Sequence, residues 1–179
     1  MDYKIAQRTL VCAILFALAF MFVGCGNQSF ITLTSTESPA RDAKAVFELD
    51  ISGINGAEIT TELRQNGESN TQPLISLDNS AKDLAITITP DKQDSDKYNR
   101  VNLTASSGDL TRNAMFTDLP EAAGWPFSTQ KQNEKLKITA GESKVLAALD
   151  TGNGVRSINL DNIDENNYDC VIIIRAVFN

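Results

Sequence analysis

The chain has 179 residues, with 16 Lys plus Arg against 23 Asp plus Glu for a net charge of -7, and its length suits one domain with a real core. That balance excludes nucleic acid, or an anionic bilayer surface, as the partner of a basic patch, because the sequence has no such patch to hold either. Histidine is absent. Its absence removes the commonest general base and metal ligand, so Ser-His-Asp and Cys-His catalysis and ordinary zinc sites are excluded, and no cofactor is implied.

At the N-terminus, Lys4 and Arg8 precede Leu10 to Val23, fourteen residues without a charge. As a helix that run reaches about 21 Å, short of the ~30 Å hydrocarbon core a spanning segment must cross. A cleaved export signal fits it better. The run closes in FMFVGCG, Phe20 to Gly26, where the small residue Gly24 precedes Cys25. This edge resembles the lipobox of bacterial lipoproteins, in which the cysteine is acylated and becomes the first residue of the mature chain. The resemblance covers residues 1–26, and it departs from the usual pattern at Phe22 and Val23, where a leucine and a small residue are the rule.

What the resemblance implies is a signal peptide over 1–24 and lipidation of Cys25; the composition and patterning that follow add an acylated N-terminus and tether over 25–42 and a β-sandwich domain over 43–179. Location follows as the bacterial cell envelope, lipid-anchored; Gly26 in place of an aspartate after the cysteine implies the outer membrane in a diderm cell. Without residues 1–24 the chain keeps 14 basic and 22 acidic side chains, a net charge of -8. Cys12 leaves with the signal and Cys25 is acylated, so Cys170 is the remaining thiol and no intramolecular disulfide is expected. Cys170 opens the most apolar segment of the chain and reads as a buried, inert residue.

Residues 26–42, GNQSFITLTSTESPARD, are rich in Ser and Thr and read as the tether, with an edge strand starting at Phe30 to Leu33. From Ala43 a period of two sets in. Ala43, Ala45, Phe47, Leu49 and Ile51 fall on one face, with Lys44, Glu48 and Asp50 on the other. Such alternation marks a strand with one face on a core and one in water. It recurs in AEITTELR from Ala57, DLAITIT from Asp83, RVNLTAS from Arg100 and KLKIT from Lys135. Gly-containing turns such as Gln65-Asn66-Gly67 and Ser107-Gly108-Asp109 separate these runs. The fold class expected is all-β, an antiparallel β-sandwich of immunoglobulin-like or jelly-roll type. Cys170 to Phe178, CVIIIRAVF, is apolar at both parities and belongs in the middle of a sheet.

Ala114 to Glu134 lacks alternation and carries Phe116, Trp125 and Phe127. Asp118 to Ala123 within it suits a single helical turn capped by Asp118. Aromatics on a long loop can stack on a sugar or fill a partner's pocket. Trp125 and Phe127, with Phe116 and Tyr98, are therefore the candidate ligand-binding residues, against the plainer reading that Trp125 plugs an open end of the sandwich. Acidic residues gather at Asp91, Asp94 and Asp96 and at Asp161, Asp164, Glu165 and Asp169. Asp161, Asp164 and Glu165 are weak calcium candidates, but the EF-hand glycine and glutamate are missing and solvated loops are the preferred reading. The expected function is a non-catalytic binding or structural module of the envelope. Its partners would be the membrane through Cys25 and another envelope protein or a glycan; a carbohydrate-binding module and a carboxylate-based hydrolase are the alternatives.

Overall fold

The computed structural model describes residues 28–37, 42–92, 97–152, 158–165 and 168–179; Cys25 and the apolar run before it lie outside them. Among the described residues are eleven strands: β1 (Ser29–Glu37), β2 (Ala43–Asp50), β3 (Gly56–Gln65), β4 (Glu68–Asp78), β5 (Asp83–Asp91), β6 (Arg100–Ser107), β7 (Leu110–Phe116), β8 (Phe127–Thr129), β9 (Lys135–Ile138), β10 (Ser143–Asp150) and β11 (Cys170–Phe178). They form two antiparallel sheets, six strands in the order β7-β6-β5-β2-β1-β9 and five in the order β4-β3-β11-β10-β8. The fold is a β-sandwich.

The two-residue period explains the core. Ile31, Leu33, Phe47, Leu49, Leu84, Ile86, Ile88, Val101 and Leu103 point inward from the six-stranded sheet, and Ile59, Leu77, Leu149, Ile172, Ile174 and Phe178 meet them from the other. At about 25 cal/mol for each Å² of apolar surface buried, this interlayer is the main stabilising contribution. Turn chemistry fixes register where it matters. Asn66 and Gly67, at φ 55 and 80, close the β3–β4 hairpin with a two-residue loop between Gln65 and Glu68, the positive-φ pair that matches strand twist.

β11 is central, flanked by β3 and β10, as its two apolar faces require. Cys170, Ile172, Ile174, Ala176 and Phe178 enter the interlayer core, whereas Val171 and Ile173 join Val145, Ala148, Ile158, Leu160 and Ile163 in a second cluster on the outer side of the sheet. Segment 158–165, with a short 3-10 turn at Leu160–Asn162 whose amide at Asp161 donates to the Asn159 side chain, forms this outer cover. The five-stranded sheet is therefore buried on both faces along β10 and β11.

Several expectations change. β1 is longer than Phe30 to Leu33 and is no edge strand, since it lies between β2 and β9, its Ile31 and Leu33 being core residues. The folded unit accordingly begins ahead of Ala43, inside the segment read as tether. β4, β7, β8 and β10 lacked a sequence signal. No helical turn forms over Asp118 to Ala123; Asp118 instead takes φ 59, which ends β7 and turns the chain back across the sandwich.

Candidate functional site

The sandwich has two ends. Ser29 starts β1 at one, where the Ser29 hydroxyl accepts from the Gly53 amide (3.2 Å) and Asn179 exchanges backbone bonds with Asn55 and Gly56. At the opposite end, loop 117–126 crosses from one sheet to the other. Tyr98 and Ala122 exchange backbone hydrogen bonds of 2.8 and 3.0 Å, the Leu119 amide donates to Asn99, and the Asp150 amide donates to the Pro126 carbonyl at 3.1 Å.

Those bonds decide what the candidate aromatics do. Phe116 is 6 % exposed and belongs to the core. Trp125 and Phe127 are partly buried against that core, and the Trp125 indole N–H is buried with no acceptor among the described residues. Trp125 thus closes the end of the sandwich. Tyr98 is brought to it, with ring centroids 6.3 Å apart and planes tilted by 48°, and the Lys92 ammonium stands 5.2 Å from the Tyr98 ring centroid. The four residues do not make the coplanar, exposed platform that stacking on a sugar needs.

The second acidic stretch is brought to the outer face of β3 and β11. Glu62 accepts from Arg64 Nε (2.6 Å) and Nη2 (3.1 Å), from the Ser69 hydroxyl (2.8 Å) and from Arg175 Nε (3.2 Å). Asp164 accepts from Nη2 of both Arg64 and Arg175 at 2.5 Å. Burial pushes the Glu62 carboxyl up, but the hydrogen bonds from Arg64 and Ser69, with the arginine charge, outweigh it and hold it below the ordinary value. Hydrogen bonds from Arg64 and Arg175 likewise hold Asp164 down, and the Glu62 bond raises Arg64. Asp164, a calcium candidate, is thus taken up by two guanidinium groups whose charge opposes a cation. The carboxylates form no group of three or more metal-ligating side chains among the described residues; Asp94 and Asp96 lie outside them. Asp91 is ion-paired with Arg100 at 2.6 Å.

Cys170 is fully buried, its sulfur accepting a 2.9 Å hydrogen bond from the Thr151 hydroxyl. Burial raises its thiol above the ordinary value, which keeps it protonated and unreactive. Two open grooves, of about 370 and 310 Å³, lie at opposite ends, the first lined by Thr89, Asp91, Lys92 and Tyr98 and the second by Asp78, Lys82, Gly108 and Leu110. Asp78, on the second, is held low by hydrogen bonds from the Ser80 hydroxyl and amide, an arrangement that shapes the turn.

The surface that single-residue reading passed over is the outer face of the six-stranded sheet. The ladder registers align Ser35, Val46, Ala85, Ser106 and Thr111 in one row across five strands. Thr87, Thr104 and Asn113 make the next, which continues into Lys44 and Glu37 on β2 and β1, and Thr89, Asn102 and Met115 a third. Across β5, β6 and β7 the outward positions from Ala85 to Thr89, Asn102 to Ser106 and Thr111 to Met115 carry no charge. Alternation alone gives "polar, outward"; only the register shows that these small side chains share one level face. The molecule is an all-β, two-sheet antiparallel sandwich, and among the described residues one outer face carries a cover over β10 and β11 and the other carries none. No family model matches the chain, and no curated protein or solved structure matches it.

Proposed function

We propose that the chain is an exported bacterial lipoprotein, anchored by acylated Cys25, whose sandwich is a non-catalytic binding or structural module contacting another envelope macromolecule through the outer face of the six-stranded sheet. The observation that carries the contact surface is the run of uncharged, small side chains over β5 to β7, on a protein of net charge -7. Solvated sheet faces are ordinarily studded with charge, and interface cores are depleted of it. Support for the anchor comes from Leu10 to Cys25. Four peptide steps from Cys25 to Ser29 span at most about 14 Å, so the lipid holds the Ser29 end close to the bilayer and leaves the Tyr98–Trp125 end facing away. A glycan is the lesser reading, because the aromatics are tilted and built into the core.

Two measurements separate the parts of this reading. Metabolic labelling with palmitate should mark the wild-type chain and not Cys25→Ala; an unlabelled wild type would overturn the anchor. Capture from gently crosslinked membranes should recover a reproducible envelope partner, and Thr104→Lys, which sets a charge in the middle of the bare face, should lose it while keeping the β-sheet circular dichroism. Recovery of the protein alone would overturn the adaptor.

A further inference from the structure

We infer that β7 is a homodimerisation edge, on which a second copy of this chain adds its own β7 antiparallel, about a two-fold axis at Asn113. Each sheet ends in two edge strands, and three of the four are protected in the ways proteins use against strand addition. β4 carries Pro73 and a register shift opposite Ile59 and Thr60. β8 has three residues. β9 has four, with Lys135 and Lys137 exposed. β7 has seven residues, no proline, no lysine, no acid and an unshifted ladder to β6. It also holds both of the large hydrophobic side chains that stand exposed among the described residues, Leu110 at 49 % and Met115 at 61 %.

The occupant follows from the peptide groups. Ser107 and Leu110 flank a two-residue turn, which makes them a hydrogen-bonded pair; the peptide groups of Leu110, Arg112, Ala114 and Phe116 then face β6, and those of Thr111, Asn113 and Met115 face outward. Those three positions are symmetric about Asn113. A second copy can pair Thr111 with Met115, Asn113 with Asn113 and Met115 with Thr111, two bonds to each pair and about six in all. The same register sets Leu110 beside the partner's Phe116 and Arg112 beside the partner's Ala114. A shift by two residues toward the turn loses bonds and places Arg112 opposite Arg112, so charge selects the register too.

Within the strand, charge does not oppose this register: the single charge of β7, Arg112, stands beside the partner's Ala114 and not beside its own copy. The contact is isologous and closes, because it uses β7 of both copies and leaves only the protected edges. Two seven-residue strands bury less than the ~1,200 Å² of a permanent interface, so the dimer is reversible and concentration-dependent. Pairing joins two bare six-stranded faces into one. This inference does not use the lipid anchor.

The test is site-directed cross-linking of the full chain in the intact cells that express it, so that its outcome does not depend on the anchor. Asn113→Cys places two sulfurs across the axis, where paired Cα atoms are about 5.5 Å apart, and a short bismaleimide should yield a band at twice the chain mass. The unsubstituted chain gives the background from its own cysteines. Adding Met115→Lys to Asn113→Cys should lower the yield at least tenfold; Asn113→Cys with Leu110→Lys serves as the second variant if the first folds poorly. Gln72→Cys, on the protected β4 edge, should give background only. Absence of the doubled band, equal yield at Gln72→Cys, or capture of a different protein at Asn113→Cys would each overturn the proposal.

Discussion

Replacing Glu62 with alanine tests whether the ion network on the outer face of β3 and β11 holds its cover down. Glu62 is 9 % exposed and accepts four hydrogen bonds, from Arg64, Ser69 and Arg175. Truncation leaves Arg64 and Arg175, with side chains 26 % and 17 % exposed, sharing only Asp164, itself 60 % exposed. A surface pair is worth about 0–1 kcal/mol and breaking a fully buried one costs about 3–5. The intermediate exposure puts the loss at about 2–3 kcal/mol, or roughly 5–10 °C in Tm for a domain of this size. Urea unfolding followed by Trp125 fluorescence at pH 7 measures it. The pH dependence supplies a second reading. Both carboxyls are held below their ordinary values in the folded protein, so their contribution is full above the unfolded carboxylate range of ~4 and is lost as pH falls through the lower folded values. The gap between wild type and Glu62→Ala should therefore narrow below about pH 4. A loss under ~0.5 kcal/mol at pH 7, or a gap that widens in acid, would refute the reasoning.

Two further substitutions probe the backbone and the cover. Gly56 opens β3 at φ 141, and a Cβ there would run into the Leu77 carbonyl oxygen of the paired strand; Gly56→Ala should cost about 1–3 kcal/mol, measured by the same unfolding curve, and a neutral result would mean the hairpin can shift to admit it. Ile173 points to the outer side of its sheet yet is fully buried beneath segment 158–165. Ile173→Ala should cost about 2–4 kcal/mol, and a cost within ~0.5 kcal/mol, the size of an ordinary surface change, would show that the cover does not seat.

How much of this was legible follows from burial. β2, β5 and β6 each have one face on the core and one in water, so their alternation could be read from the sequence. β10 could not, because SKVLAALD is buried on nearly every side chain, between the interlayer core and the outer cover, and so it shows no alternation. β4 failed for the opposite reason: it is an edge strand, and Glu68 to Pro73 is exposed at both parities. β7 likewise shows exposure at both parities from Leu110 to Asn113. Central placement of β11 was readable because no solvated strand can carry Val, Ile and Ile at successive positions. Trp125 and Tyr98 both stood out in the sequence as candidate aromatics, but their contact was not legible, because the bridge to Ala122 that joins them is a backbone contact between distant segments. The Glu62–Arg64–Arg175–Asp164 network joins residues 100 and 113 positions apart in part, a separation over which single-sequence patterning has no reach.

The asymmetry between the two sheets bears on where a partner binds. The five-stranded sheet buries the outer face of β10 and β11 under its own segment 158–165 and seals the rim with Glu62, Arg64, Arg175 and Asp164. That face is spent on stability. The six-stranded sheet has no such cover among the described residues, yet over β5 to β7 it does not carry the lysines and glutamates that keep an exposed sheet solvated and discourage contact. Ser, Thr and Asn side chains cost far less to desolvate than charges, and each keeps a donor and an acceptor for a partner's polar groups. A face of that chemistry gains little by facing water and loses little by being covered. Of the molecule's acidic residues, Glu68, Asp78, Asp109 and Glu142 lie in turns and on other strands, and β5 keeps Asp83 and Asp91 at its two ends, so they keep the free protein dispersed without obstructing the middle of the sheet. A positive side chain set into the middle of the face, as in Thr104→Lys, therefore perturbs contact with the partner and leaves the core, which lies on the other side of the strand, as it was.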